Sequence, residues 1–144
     1  MRRLLGLDIG SKTVGVAVSD ELGYTAQKVE TIQVDETKFN FGMKSIKKLV
    51  REYDPAGFVL GLPKNMDGSA GDSVARSKAY GERLKKKFGL PVYYSDERLT
   101  TIESERVLVE EAGIHDRHKR KEVIDQMAAV LILQNYLDLN RKDQ

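Results

Sequence analysis

The hydrophobic pattern changes period once, near Glu36, and that change limits the folds open to this chain. Residues 4–9 form a short apolar run closing on Gly10, and residues 14–19 follow after Ser11-Lys12-Thr13, a hairpin-length connection. Asp20-Glu21-Leu22-Gly23 reads as a second turn, and residues 24–34 set β-branched side chains among polar ones, as in a strand with one wet face. Three successive strands with tight turns predict an antiparallel meander. Beyond Glu36, the apolar residues Phe39, Met43, Ile46, Leu49, Val50 and Tyr53 recur at helical spacing until Asp54-Pro55 stops the helix. Strands and helices then alternate: a strand at 58–61, a Gly-rich loop at 62–71, a helix at 72–88 closed by Gly89-Leu90-Pro91, and a strand at 92–95. Thr100-Thr101-Ile102-Glu103 has the form of a capping box, so a helix starts near Thr101 and closes at Gly113, and a last helix covers 122–139.

The order β-β-β-α-β-α-β-α-α predicts an α/β fold. Strands joined through helices lie parallel, so the sheet is mixed and five-stranded, three antiparallel strands then two parallel ones, with helices on both faces. At 144 residues the chain suits one domain, which buries roughly 68–70% of its unfolded surface. An apolar fraction of 40% excludes a disordered chain. The absence of Cys removes disulfide frameworks and thiolate metal sites, and fits a reducing cytosol. No apolar run is long enough for a transmembrane helix, and Met1-Arg2-Arg3-Leu4-Leu5 meets acids and glycines too soon for a signal peptide. A formal net charge of +2 permits a nucleic-acid partner without demanding one.

Three carboxylates stand in apolar settings. Asp8 interrupts Leu4-Leu5-Gly6-Leu7-Asp8-Ile9-Gly10, a strand with no cation of its own, and burying an ionised carboxylate is costly unless something pairs with it. A strand-end Asp accepting backbone N–H bonds is the plain explanation; a bound cation is the other. Glu97 follows the fifth strand, where ligands of open α/β sheets gather beyond the carboxyl ends. Asp96 competes for the same role, and spacing does not separate the two. Asp125 lies over Ala128, Ala129 and Ile132 at about 100° per residue, on the apolar side of its helix, although a first-turn acid also suits a helix dipole. One site explains all three acids together. Hard divalent cations take oxygen ligands, and two such ions about 3.5–4 Å apart activate water and stabilise a leaving oxygen on a phosphodiester.

The segments Leu7-Asp8-Ile9-Gly10-Ser11-Lys12-Thr13-Val14-Gly15-Val16-Ala17, Gly61-Leu62-Pro63-Lys64-Asn65-Met66-Asp67-Gly68-Ser69, Asp96-Glu97-Arg98-Leu99-Thr100-Thr101 and Asp125-Gln126-Met127-Ala128-Ala129 resemble the YqgF family, also called RuvX, over nearly the whole chain. The resemblance implies a single RNase H-like nuclease domain over residues 1–144. It also implies a cytoplasmic hydrolase that uses Mg²⁺ or Mn²⁺ to cut structured nucleic acid, leaving a 5′-phosphate. The implied substrate is the 5′ end of precursor 16S rRNA, in ribosome biogenesis; the alternative is branched DNA, as a Holliday junction resolvase. It matches Asp8, Glu97 and Asp125 to the family's acidic triad, both catalytic and metal-binding. Lys64 departs from the pattern, standing where an apolar residue is common.

Basic residues supply nucleic-acid contacts for such a reading. Arg117-His118-Lys119-Arg120-Lys121 is the densest run and lies immediately before the predicted Asp125 helix; a solvated loop is the bland alternative. Lys12, Lys64, Asn65, Arg76 and Arg98 complete the candidate set. The Gly-rich loop lacks the Lys-Ser/Thr ending of a P-loop, and His115 and His118 lack companions for a zinc site. Two further classes compete: a non-catalytic nucleic-acid-binding or transcription factor, and the actin-like sugar kinases, whose first phosphate loop Asp8-Ile9-Gly10-Ser11 resembles but which need two such domains. The chain acts as a monomer or homodimer without membrane contact; symmetric junction cleavage requires the dimer.

Overall fold

The computed structural model describes residues 3–62, 72–96 and 117–141, with side chains in the last two spans at 72–95 and 127–140. The strands β1 (Leu4–Ile9), β2 (Thr13–Ser19), β3 (Ala26–Gln33), β4 (Gly57–Leu62) and β5 (Val92–Asp96) form one sheet in the order β3-β2-β1-β4-β5. β1 pairs antiparallel with β2, and β2 with β3, whereas β1–β4 and β4–β5 are parallel. The described helices are α1 (Met43–Tyr53), α2 (Asp72–Phe88) and α3 (Arg117–Arg141). The expected mixed sheet is therefore present. The helix predicted near Thr101 and most of the Gly-rich loop lie outside the described residues.

The central strand is covered on both sides, and its two-residue period sorts its side chains between two cores. Leu5, Leu7 and Ile9 join Phe58, Leu60, Ile46, Leu49, Tyr80 and Leu84 in the larger core, beneath α1 and α2. The opposite face packs Ala17 and Val59 against Ala129, Ile132, Leu133 and Leu137 of α3. Each fully buried Leu or Ile contributes roughly 1.5–3 kcal/mol. Close approach on this side depends on Gly6: a β-carbon there would lie 2.6 Å from Leu133 Cβ and 3.1 Å from the Ala129 carbonyl.

That packing also fixes the direction of α3. Gly6 meets Leu133 and Gly15, the β2 partner of Asp8, meets Ala129, so rising β1 numbers meet falling α3 numbers. The helix runs antiparallel to β1, with its N-terminal end at the carboxyl edge of the parallel strands. Farther along, Gln134 Oε1 accepts from the Ala26 N–H at 2.9 Å and its Nε2 donates to the Tyr24 carbonyl at 2.8 Å. Tyr93 and Tyr136 stack with ring centroids 5.5 Å apart, tying the other edge strand to the same helix.

Two predicted boundaries move. The helical spacing read from Phe39 fails at its start: Glu36–Lys38 is a short 3-10 turn, Phe39 has φ 54° and is 82% exposed, and α1 begins only at Met43. Local side-chain bonds win there. Asp35 Oδ1 accepts from the Thr37 N–H at 3.0 Å and Asn40 Oδ1 from the Gly42 N–H at 3.2 Å, offering the backbone an alternative to helix. Conversely, α3 begins at Arg117, so the basic run is its opening rather than a loop before it. Lys and Arg are good helix formers and no Gly or Pro intervenes, although cations at this end oppose the helix dipole.

Gly6→Ala should destabilise the chain by about 1–3 kcal/mol through overpacking under α3. Urea denaturation followed by circular dichroism measures it, and an unchanged midpoint contradicts the packing described.

Candidate active site

Asp8 is the half-buried carboxylate near the carboxyl end of β1. Its antiparallel partner is Gly15, where a β-carbon would stand 3.7 Å from Asp8 Cβ and 3.6 Å from Ala129 Cβ. Both atoms are thus neighbours of one point, and Asp8 lies on the α3 face of the sheet. One register step beyond Leu7–Leu60, Asp8 is level with Gly61 of β4, and Gly61 pairs with Ser95 of β5. The row crossing the sheet at this level reads Gly15, Asp8, Gly61, Ser95. A single acid therefore stands on a floor of small residues. Ser95 is buried, with the Asn135 amide of α3 donating to its Oγ at 3.4 Å.

Of the other two acids, only Asp125 falls within a described element. Asp125 belongs to α3, one helical turn ahead of Ala129, a rise of about 6 Å toward the open end of the strands. Glu97 follows β5 and lies outside the described residues; Asp96 is the last residue of β5, in register with Leu62. Asp8, Ala129 and the carboxyl end of β5 are within one corner of the sheet, since β1 and β5 are separated only by β4, about 10 Å backbone to backbone.

The basic candidates divide. Lys12 is exposed in the β1–β2 turn, and its carbonyl accepts from the Val34 N–H at 2.9 Å, which anchors the hairpin to the end of β3. Arg117, Lys119, Arg120 and Lys121 occupy the opening of α3, about 12–18 Å along the helix before Ala129 and so beyond the level of Asp8. Arg76 does not join them. It sits on α2, across the sheet from Asp8, paired with Glu36. Lys64, Asn65 and Arg98 lie outside the described residues. Beside Arg76, a cavity of about 410 Å³ is lined by Ile9, Phe41 and Tyr80. The Tyr80 hydroxyl donates to the Phe41 carbonyl at 2.6 Å, and burial pushes its pKa well above the usual phenol range.

Among the described residues no three His, Cys, Asp or Glu side chains gather to hold a metal. The part that is described does fit a hard cation: the Asp8 carboxylate, an oxygen donor, stands near the end of β1 with Gly15 and Gly61 as its strand neighbours. Asp8 stands out in the sequence, whereas Gly15 and Ser95, its neighbours in the sheet, do not. The signal for them was the pleat, which puts position 15 opposite position 8 once the hairpin register is set.

A sheet in the order 3-2-1-4-5 with this helix placement is RNase H-like. Solved structures agree: RuvC of T. thermophilus in complex with a Holliday junction substrate superposes with TM-score 0.64 at 13% identity, covering 100% of this chain and 98% of that one. The fowlpox virus Holliday junction resolvase gives 0.52 at 16% identity, covering 94% and 98%. The sequence profile of RuvX, described as Holliday junction resolvase, matches residues 2–139, and this chain belongs to that family. A Lactobacillus acidophilus relative is 82% identical over 141 residues, covering 98% of this chain and 99% of the relative, and carries the name "Putative pre-16S rRNA nuclease". A Streptococcus equi subsp. zooepidemicus relative of the same name is 57% identical over 138 residues, covering 96% and 99%.

Gly15→Ala should keep the thermal midpoint within a few degrees, because the added carbon meets its neighbours at ordinary contact distances. Gly15→Leu should lower it, by about 1–3 kcal/mol of stability, as the longer side chain forces Asp8 and Ala129 apart. Thermal melts of both variants check the difference in one experiment.

Proposed function

We propose that this chain is a Mg²⁺- or Mn²⁺-dependent endonuclease that matures the 5′ end of precursor 16S rRNA, working in the cytoplasm as a single RNase H-like domain spanning residues 1–144. The observation that carries the reading is Asp8, a half-buried acid on a floor of small residues at the carboxyl edge of the sheet, beneath the helix that bears Asp125. The names of the relatives at 82% identity supply the substrate class.

In this reading Asp8, Glu97 and Asp125 hold the cations. The bound ions would lower the pKa of a water and offset charge on the leaving oxygen. The chain's own contribution is placement. β1 fixes Asp8, and the small residues around it admit a phosphodiester close to the sheet. Arg117, Lys119, Arg120 and Lys121 neutralise phosphates flanking the scissile bond, with Lys12, Lys64, Asn65 and Arg98 as further contacts.

Resolution of four-way DNA is the second reading, favoured by the likeness to RuvC bound to a junction and by the family's description. It needs a dimer, because symmetric incision takes two sites.

Asp8→Asn should lose at least about 100-fold in cleavage rate, since even groups that only orient a metal ligand cost 10–100-fold when removed. Rates on a precursor 16S leader and a four-way junction, with Mg²⁺ or Mn²⁺ added, test both readings side by side. Wild-type turnover by the variant ends the metal role; cleavage of the junction alone selects the second reading.

A further inference from the structure

Positive charge in this molecule is segregated. Helices α1 and α2 together carry ten basic and three acidic residues, a net of +7, whereas the whole chain is only +2. The remainder is therefore net negative by five. Both helices cover the sheet face opposite Asp8, sharing the larger core through Ile46, Leu49, Tyr80 and Leu84. The segment just ahead of α1 meets α2: the Arg83 guanidinium lies 3.8 Å from the centre of the Phe41 ring.

The arrangement within α1 is the sharper observation. Lys44, Lys47, Lys48 and Arg51 stand at i, i+3, i+4 and i+7, a single exposed stripe opposite the buried Ile46 and Leu49. None forms a salt bridge with an acid among the described residues. Like charges at these spacings repel, and Lys44 adds a cation to the first turn, where the helix dipole disfavours it. No acidic residue occupies that first turn to compensate. A face needing only solubility would intersperse the two signs. This one accepts a standing electrostatic cost along about 10 Å of helix. The four cations surround a shallow depression of about 470 Å³, and on α2 a second one is walled by Arg83, Lys86 and Lys87 with one acid, Glu82.

We infer that the α1–α2 layer is a second nucleic-acid surface that grips the phosphate backbone of a double-helical stem, apart from the acidic site. Both helices begin near the carboxyl edge of the sheet, as Gly42 packs on Ile32 and Val34 at the end of β3 and α2 lines a cavity with Ile9 and Gly10. A stem lying on this layer thus projects its single-stranded flank over that edge toward Asp8. The surface has no exposed aromatic row for stacking unpaired bases, so duplex backbone is the ligand that fits. The inference rests on the nuclease reading for the direction of the flank, but not for the binding itself.

The test uses full-length chain carrying Asp8→Asn, so that bound nucleic acid stays intact. Fluorescence anisotropy compares it with the same chain bearing Lys47→Glu and Lys48→Glu, on a labelled RNA stem with a 5′ single-stranded flank and on a four-way DNA junction. Affinity for the stem should fall about 10-fold or more, and the slope of log affinity against log salt should shrink by about two units. Lys47→Gln with Lys48→Gln should show a smaller loss, and neither pair should lower the thermal midpoint, because repulsion within α1 is relieved. A selective loss on the junction assigns the surface to DNA; a loss on the stem assigns it to RNA. Unchanged affinity and salt slope on both overturn the inference while leaving cleavage by the wild-type chain to judge the nuclease reading. In wild-type background the charge reversal should raise the RNA concentration for half-maximal rate and leave the saturated rate unchanged.

Discussion

The contact of α3 with β1 is the constraint on which the active corner depends. Gly6 lets the helix backbone settle onto the central strand, and Leu133 and Ala129 fill the space a larger residue would take. From there the helical rise sets where Asp125 falls relative to Asp8. A helix lifted by the width of a methyl group would displace one acid from the other by a comparable amount. In the proposed metal-dependent reading this matters, because oxygen ligands of Mg²⁺ at about 2.0–2.1 Å in near-ideal octahedra would tolerate little of it. Packing in the small core and chemistry at the edge are one problem here.

Much of this was legible in the residues. The switch of hydrophobic period at Glu36 pointed to three antiparallel strands followed by two parallel ones, and the sheet has that mix. Asp8 was conspicuous because every neighbour in its strand is apolar or Gly. What could not be read was whatever depends on contacts distant in sequence. Gly15 matters because it faces Asp8 across a hairpin, and Ser95 because two parallel registers carry the Asp8 row to β5. Phe39 misled because a backbone turn held by Asp35 and Asn40 overrides its apolar character. The opening of α3 was misplaced for the converse reason: a run of cations looks like a loop by charge but continues a helix by propensity.

The sheet separates two tasks. Its α3 side carries the carboxylate and small side chains; its other side carries most of the excess positive charge on two helices that otherwise supply the larger core.

The order of elements along the chain has a consequence for synthesis on the ribosome. All five strands emerge before α3, and with them Asp8, Ala17 and Val59. Until the helix arrives, that face of the nascent sheet is bare hydrocarbon around one carboxylate, and the acid that α3 brings is missing. In the proposed reading, the acidic corner is thus completed by the same docking event that covers Ala17 and Val59.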